Sequence, residues 1–305
     1  MLKALFAGSS PVTMFVILCF TMVTSLTVIL TIGMALTPFI FDIPVDEVTH
    51  LFNDSGATIN LSLARYLQTL TNIAFFIIPA LVAAYLFSRK PIDYLGLRDS
   101  ASAKWFATAL TLIIVAIPGI SLLVALNELI IFPESLAELE KWLIQKYENS
   151  KNQNAIYLNV YNLGGLFFNI FMIALLPAIG EELIFRGIVH KIFLKMTGNI
   201  HFAIILSAFL FSLLHLQFYR LFPIWLLGVL FGYLMVWSGT IWLPVFAHFI
   251  NNAAIVIAYF LINRGIAPEE IKAMATNTLN VPAIIISIIL CSVILWIMYK
   301  NKKKY

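Results

Sequence analysis

Charge is scarce in this sequence. Lys, Arg, Asp and Glu make up 11% of the 305 residues, where a soluble domain carries about 25%. Nineteen basic and 15 acidic side chains cannot cover the water-facing surface of a chain this long, which excludes a soluble enzyme and a disordered chain. Cysteine is scarce too. Cys19 and Cys291 cannot staple a secreted module, and both lie in apolar stretches, where they read as small buried hydrophobes. Long basic runs are missing, so the net charge of +4 does not signal nucleic acid. The one short cluster, Lys300, Lys302, Lys303 and Lys304, follows an apolar stretch and reads as a cytoplasmic anchor beside anionic headgroups. The first apolar run, about 11–41, is far longer than the roughly 7–15 residues of a signal-peptide core, so no cleavable leader is expected. What fills the chain instead is apolar side chain, 61% of it. Its solvent is lipid.

A bilayer core of about 30 Å takes roughly 20 apolar residues as a helix. The sequence then predicts spans near 12–41, 64–87, 105–132, 160–197, 200–217, 221–237, 241–262 and 282–299. The expected fold is all-α: a polytopic membrane protein of about eight helices, one domain over residues 1–305. The fourth span is expected to be interrupted, because Pro177 removes an internal hydrogen bond and Gly180 follows. Between the third and fourth spans, Leu136, Leu139, Leu143 and Tyr147 recur at helical spacing among charges. That predicts an amphipathic helix over about 133–150, lying on the outer interface.

Orientation follows loop Lys and Arg counts. Arg89, Lys90, Arg98 and Lys104 mark a cytoplasmic connection, and Lys191, Lys195 and the lysine tail share that side. The first loop holds Asp46, Glu47 and Asp54 with no base before Arg65, and faces outward. Eight spans put both termini in the cytoplasm, with Lys141, Lys146 and Lys151 as exceptions on the outer side.

Ionisable residues inside a span are costly and mark function. Here they are Glu181, Glu182 and Arg186 after Gly180, His215 ending a run from Ala208, and His248 with Asn252. From the helical rise of about 1.5 Å per residue, Glu181 lies about 21 Å, His215 about 22 Å, His248 about 12 Å and Asn252 about 18 Å from the cytoplasmic boundary. Glu182 and Arg186, four apart, suit an internal ion pair. Glu181 points about 100° away, which leaves it free to work. Phe211 and His215 share a face, as do His248 and Asn252. A carboxylate beside an imidazole can hold and deprotonate water. A second imidazole and an amide can donate to the oxyanion formed when water adds to a peptide carbonyl. No Ser or Cys is placed as a nucleophile.

These residues resemble a known family. Glu181-Glu182-Leu-Ile-Phe-Arg186 is similar to its EExxxR motif, Phe211-Ser-Leu-Leu-His215 to FxxxH, and His248-Phe-Ile-Asn-Asn252 to HxxxN. The family is the CAAX protease and bacteriocin-processing group of intramembrane proteases, also called type II CAAX endopeptidases, Ras-converting-enzyme-like or abortive-infection proteins. Leu95-Gly96-Leu97-Arg98 also resembles an upstream stretch of its members, and the core of the likeness covers about 160–262. The resemblance implies about eight helices around a conical cavity open to membrane and cytoplasm. It implies that Glu181 and His215 activate water and that His248 and Asn252 form the oxyanion site. Glu182, Arg186 and Phe211 would support them. It implies no cofactor and a peptide or protein substrate presented from the bilayer, prenylated CAAX-type or bacteriocin-like. The Ile-, Phe-, Asn- and Lys-rich composition suggests a bacterial cytoplasmic membrane.

Three other readings stay open. Glu and His are legitimate zinc ligands, so a zinc-dependent form of the same protease is one, although no His-Glu-x-x-His helix is present. A non-catalytic scaffold or immunity factor is another. A transporter is the third, since buried polar residues and a discontinuous helix also suit transport. His50, His190 and His201 read as solvated or packed, and the Gly228/Gly232 pair as a close helix contact within the bundle. The oligomeric state is open.

Overall fold

The computed structural model describes residues 3–45, 48, 60–130, 132–268 and 280–303. Asp46, Glu47, His50, Asp54 and Lys304 lie outside them. Among the described residues there is no strand, and seven helices are long and apolar enough to cross a bilayer. They are α1 (Pro11–Ala35), α2 (Leu61–Phe87), α3 (Ala103–Glu128), α5 (Leu163–Thr197), α7 (Phe218–Ser238), α8 (Trp242–Asn263) and α9 (Val281–Lys300). Between α3 and α5 comes α4 (Ala137–Leu158), and between α5 and α7 comes α6 (Ile200–Leu214), apolar but only 15 residues long. The chain is an all-α, multi-pass membrane protein.

Proline decides most of the departures from the expected spans. The first span stops at Ala35, and a separate short helix runs Thr37–Phe41. Pro38 has no N–H for the Met34 carbonyl four residues back. The Thr37 hydroxyl takes that carbonyl at 2.8 Å instead. Pro118 sits inside α3, and there Ser287 of α9 enters the helix, donating to Val115 O at 2.6 Å and accepting from Gly119 N–H at 3.2 Å. That is one reason α3 and α9 pair closely.

Pro177 does not break α5. The expected interruption is corrected: α5 is continuous over Leu163–Thr197, with π-helical segments at Ile170–Leu175 and Phe185–Val189. The first π segment shifts the bonding register just before the proline, so that Leu176 N–H reaches Phe171 O rather than Met172 O. Two amides take the carbonyls this leaves over. Asn72 donates to Met172 O at 3.1 Å, and Asn252 to Ile173 O at 3.5 Å. Helix α2 repeats the device, with a π segment at Ile73–Ile77 just ahead of Pro79. The two bulged regions pack side by side, and Gly180 makes that approach possible: a Cβ there would lie 2.7 Å from Phe76 Cβ.

Other boundaries moved less. The amphipathic helix is longer than the expected 133–150, with a 3-10 turn at Glu134–Leu136 leading into α4 and the helix continuing to Leu158. Its Leu143 and Tyr147 are half-buried, whereas Leu136, Leu139 and Trp142 are exposed. The fifth span ends at Leu214, not 217, because Leu216 turns into the left-handed region (φ 52). The cysteines are not the small buried hydrophobes expected. Cys19 is exposed on α1 and Cys291 half-exposed on α9, because both helices are peripheral and turn rows of Val, Ile and Phe outward.

Candidate active site

The second half of α5 carries the acidic pair into the core. Glu182 is fully buried, and Arg186, in the second π segment, is 1% exposed. An isolated buried charge is prohibitive, and here each is compensated. Arg186 Nη1 donates to Glu182 Oε1 at 3.0 Å and Nη2 donates to Gly228 O at 2.8 Å. Its guanidinium carbon lies 5.0 Å from the Phe211 ring centre and 5.5 Å from that of Phe231, within cation–π range. Gly228 lets α7 come close enough to offer its carbonyl, since a Cβ there would stand 3.0 Å from Ala208 Cβ. The Gly228/Gly232 pair is therefore used against α6, as an internal contact.

His248 enters from α8, one and a half turns past its start. Its Nδ1 lies 3.0 Å from Glu182 Oε1. A carboxylate oxygen that also holds a guanidinium is an acceptor, so Nδ1 carries the hydrogen and Nε2 is turned the other way. Nε2 faces Glu181, 3.8 Å from Oε2. The ring stacks on Phe231 (5.2 Å, 22°) and meets the edge of Phe211 (6.2 Å, 84°). Glu181, at 13% side-chain exposure against 0% for Glu182, is the carboxylate left accessible.

His215 sits just past the end of α6. Its Nδ1 lies 2.8 Å from the Phe211 carbonyl, one of the acceptors that a helix C-terminus leaves over. Nδ1 is again the protonated nitrogen, and Nε2 is free to accept. The imidazole packs against the Phe211 ring at 4.6 Å. Phe211 thus touches Arg186, His215, His248 and Phe185.

The structure brings Glu181, Glu182, Arg186, Phe211 and His248 into one contact group and joins His215 to it through Phe211. Among the described residues Glu181 pairs with His248 and forms no ion pair with His215. Asn252, one turn beyond His248, spends one N–H on Ile173 O and accepts from Asn251 Nδ2 at 3.2 Å. The sequence analysis missed Phe231, which supports both Arg186 and His248, and Asn72, which holds the π segment. Phe231 lies between the noted glycines Gly228 and Gly232, but a phenylalanine in an apolar span carries no distinguishing signal. Asn72 is a polar residue inside a span, the signal applied to the other site residues.

The upstream Leu95-Gly96-Leu97-Arg98 stretch is a latch. Leu95 is fully buried, Gly96 O accepts from Ile241 N–H at 3.2 Å, Leu97 O accepts from Trp242 Nε1 at 3.0 Å, and Thr240 donates to Asp99 O. It fixes the start of α8, and so the height of His248. Of the other histidines, His190 is buried, and His201 Nδ1 lies 2.8 Å from the Tyr233 hydroxyl.

A cavity of about 430 Å³ opens between α3, α5 and α8, lined by Ser100, Phe106, Leu175, Ile179, Trp242, Val245, Phe246 and Phe249. Ile179 is two residues before Glu181, and Val245 three before His248. The space beside the polar group is therefore apolar. No cluster of three or more His, Cys, Asp or Glu side chains arranged to hold a metal ion is found among the described residues.

Residues 163–254, which hold every one of these motif residues, match the family model described as type II CAAX prenyl endopeptidase Rce1-like. Over this segment the chain is similar to the Rce1-like family, described as endopeptidases. The chain is also 34% identical over 77 residues to the Bacillus subtilis (strain 168) protein named "Putative membrane peptidase YdiL", a match covering 25% of this chain and 31% of that protein. The similarity thus spans about a third of the relative's length. No solved structure matches the chain.

Proposed function

We propose that this chain is an intramembrane endopeptidase that hydrolyses a peptide bond of a hydrophobic or membrane-tethered substrate with water activated by Glu181. The observation that carries the reading is the buried Arg186–Glu182–His248 chain ending at Glu181, inside the matched segment. Glu182 is neutralised by Arg186 and holds His248 by Nδ1. Glu181 is the neighbouring carboxylate with exposure to a reactant, and it takes a proton from water as the oxygen attacks the scissile carbonyl. The free Nε2 of His215 supplies a second acceptor for that water. The second N–H of Asn252 serves the oxyanion, and His248 does so as the imidazolium, with its Nδ1–H on Glu182 and a second proton on Nε2. The protonated Glu181 then delivers its proton to the departing amine, closing the cycle without a covalent intermediate.

The apolar cavity beside Ile179 and Val245 suits apolar flanking residues or a lipid attached to the substrate, in line with the prenylated CAAX-type or bacteriocin-like peptides that the family suggests. We place both termini on the cytoplasmic side of a bacterial membrane, on the strength of Arg89, Lys90, Arg98, Lys104 and the lysine tail. The partners are the bilayer and a peptide, not nucleic acid. No cofactor enters the scheme; a zinc-dependent form would lose activity on chelation and regain it with zinc. The test is cleavage of internally quenched peptides with apolar residues around the scissile bond, by purified protein in detergent. Glu181→Gln and His215→Ala are expected to abolish it. Unchanged turnover in both would overturn the proposal.

A further inference from the structure

At the opposite end of α7 from the latch, a second polar group is assembled that the hydrolytic scheme does not use. Asn127, on the last turn of α3, is completely buried. It accepts the Phe222 N–H at 2.9 Å, at the first turn of α7. Because that partner is a donor, the amide oxygen must face it, and the Asn127 NH₂ points elsewhere. It has no hydrogen-bond partner among the described residues. Two positions before Phe222, the Nε of Arg220 is likewise buried and unpartnered. Arg220 forms no ion pair among the described residues, and Glu128, the nearest acid in sequence to Asn127, is exposed and unpaired as well. The Phe218–Arg220 turn packs against α3, so both sets of unused donors belong to one junction. The positive end of the α7 dipole adds to them.

This collection contains donors and positive charge with no ion pair among the described residues, although Glu140 of α4 lies near the neighbouring Tyr219. Polar groups in that state favour an anionic oxygen ligand. We infer that the α3–α7 junction is an oxyanion site, built from Asn127 Nδ2 and the Arg220 guanidinium, that takes a phosphate group. On the orientation above, the junction lies towards the outer interface, the side of phospholipid headgroups and dissolved phosphate, and a ligand enters as the Phe218–Arg220 turn shifts to admit it. It stands five residues beyond His215, and Ser212, in the last turn of α6, donates to Leu221 O at 2.6 Å. An anion held there would brace the turn that carries His215.

The test uses the full chain in nanodiscs of phosphatidylcholine alone, the same discs with added inorganic phosphate, and discs doped with phosphatidylglycerol. The melting temperature is read for the wild type, Arg220→Gln and Asn127→Asp. Asn127→Asp keeps an oxygen facing the Phe222 N–H but replaces the free donor with negative charge. A rise with phosphatidylglycerol alone assigns a lipid headgroup, and a rise with inorganic phosphate assigns a free anion. Either supports the site, provided both variants lose the rise and bind the effective probe about tenfold more weakly. Equal rises in all three proteins, which would reflect the cytoplasmic lysines instead, overturn it. So does the absence of any rise from both phosphate sources. Peptide cleavage is not part of this readout, so the outcome is separate from that of the proposed hydrolysis.

Discussion

Replacing Arg186 by Met should be among the most damaging single changes available in this protein. The side chain is 1% exposed, and its removal strips Glu182 of its 3.0 Å partner while leaving the carboxyl fully buried. The Gly228 carbonyl loses its 2.8 Å donor at the same time. Breaking a buried ion pair from one side costs about 3–5 kcal/mol, and an orphaned buried carbonyl adds about 1–3 kcal/mol. The double variant Glu182→Leu/Arg186→Met removes both charges and should cost less than Arg186→Met alone, since no uncompensated charge remains. The assay is reversible denaturation in bicelles or mild detergent of wild type, both singles and the double, read as a double-mutant cycle. A loss below about 1 kcal/mol for Arg186→Met, or a double variant that costs the sum of the singles, would refute the reasoning.

Asn72→Leu removes the donor from Met172 O and should destabilise by about 1–3 kcal/mol, seen in the same denaturation assay. Gly180→Val forces a branched side chain towards Phe76 and should cost about 1–3 kcal/mol by overpacking, while Gly8→Ala, in a turn with open space around it, should not disturb α5. Asn252→Leu should lower kcat about 10²–10³-fold through loss of an oxyanion donor, with a smaller change in KM. Full turnover is expected to survive exhaustive chelation, measured with the quenched peptide; activity restored by zinc alone would favour the metal-dependent alternative.

Much of the fold was legible in the apolar runs. Their lengths gave the spans, and the placement of α4 between the third and fourth came from its mixed charge. Three features were not legible, for a common reason. Pro177 announces a lost hydrogen bond, but whether the helix breaks depends on what takes the freed carbonyls. Here the takers, Asn72 and Asn252, come from helices about 100 and 79 residues away in sequence. In the same way, Leu216 turning left-handed shortens α6, and peripheral packing leaves Cys19 exposed. Within the candidate site, the spacing of Glu182 and Arg186 gave their ion pair directly, because i,i+4 contact is local. The pairing of Glu181 with His248 was not readable from depth along each helix. Depth estimates ranked His215 closest to Glu181, whereas helix rotation and the Glu182 tether turn His248 towards it.

The two adjacent glutamates carry the central claim, because they are assigned opposite parts: Glu181 the chemistry, Glu182 the scaffold. Glu181→Gln and Glu182→Gln should be compared side by side for kcat on one peptide and for melting temperature. Glu181→Gln is expected to melt as the wild type does and to lose turnover by about 10²–10⁴-fold, while Glu182→Gln melts earlier. A Glu181→Gln enzyme that keeps wild-type turnover, or loses it only because it unfolds, would contradict the claim.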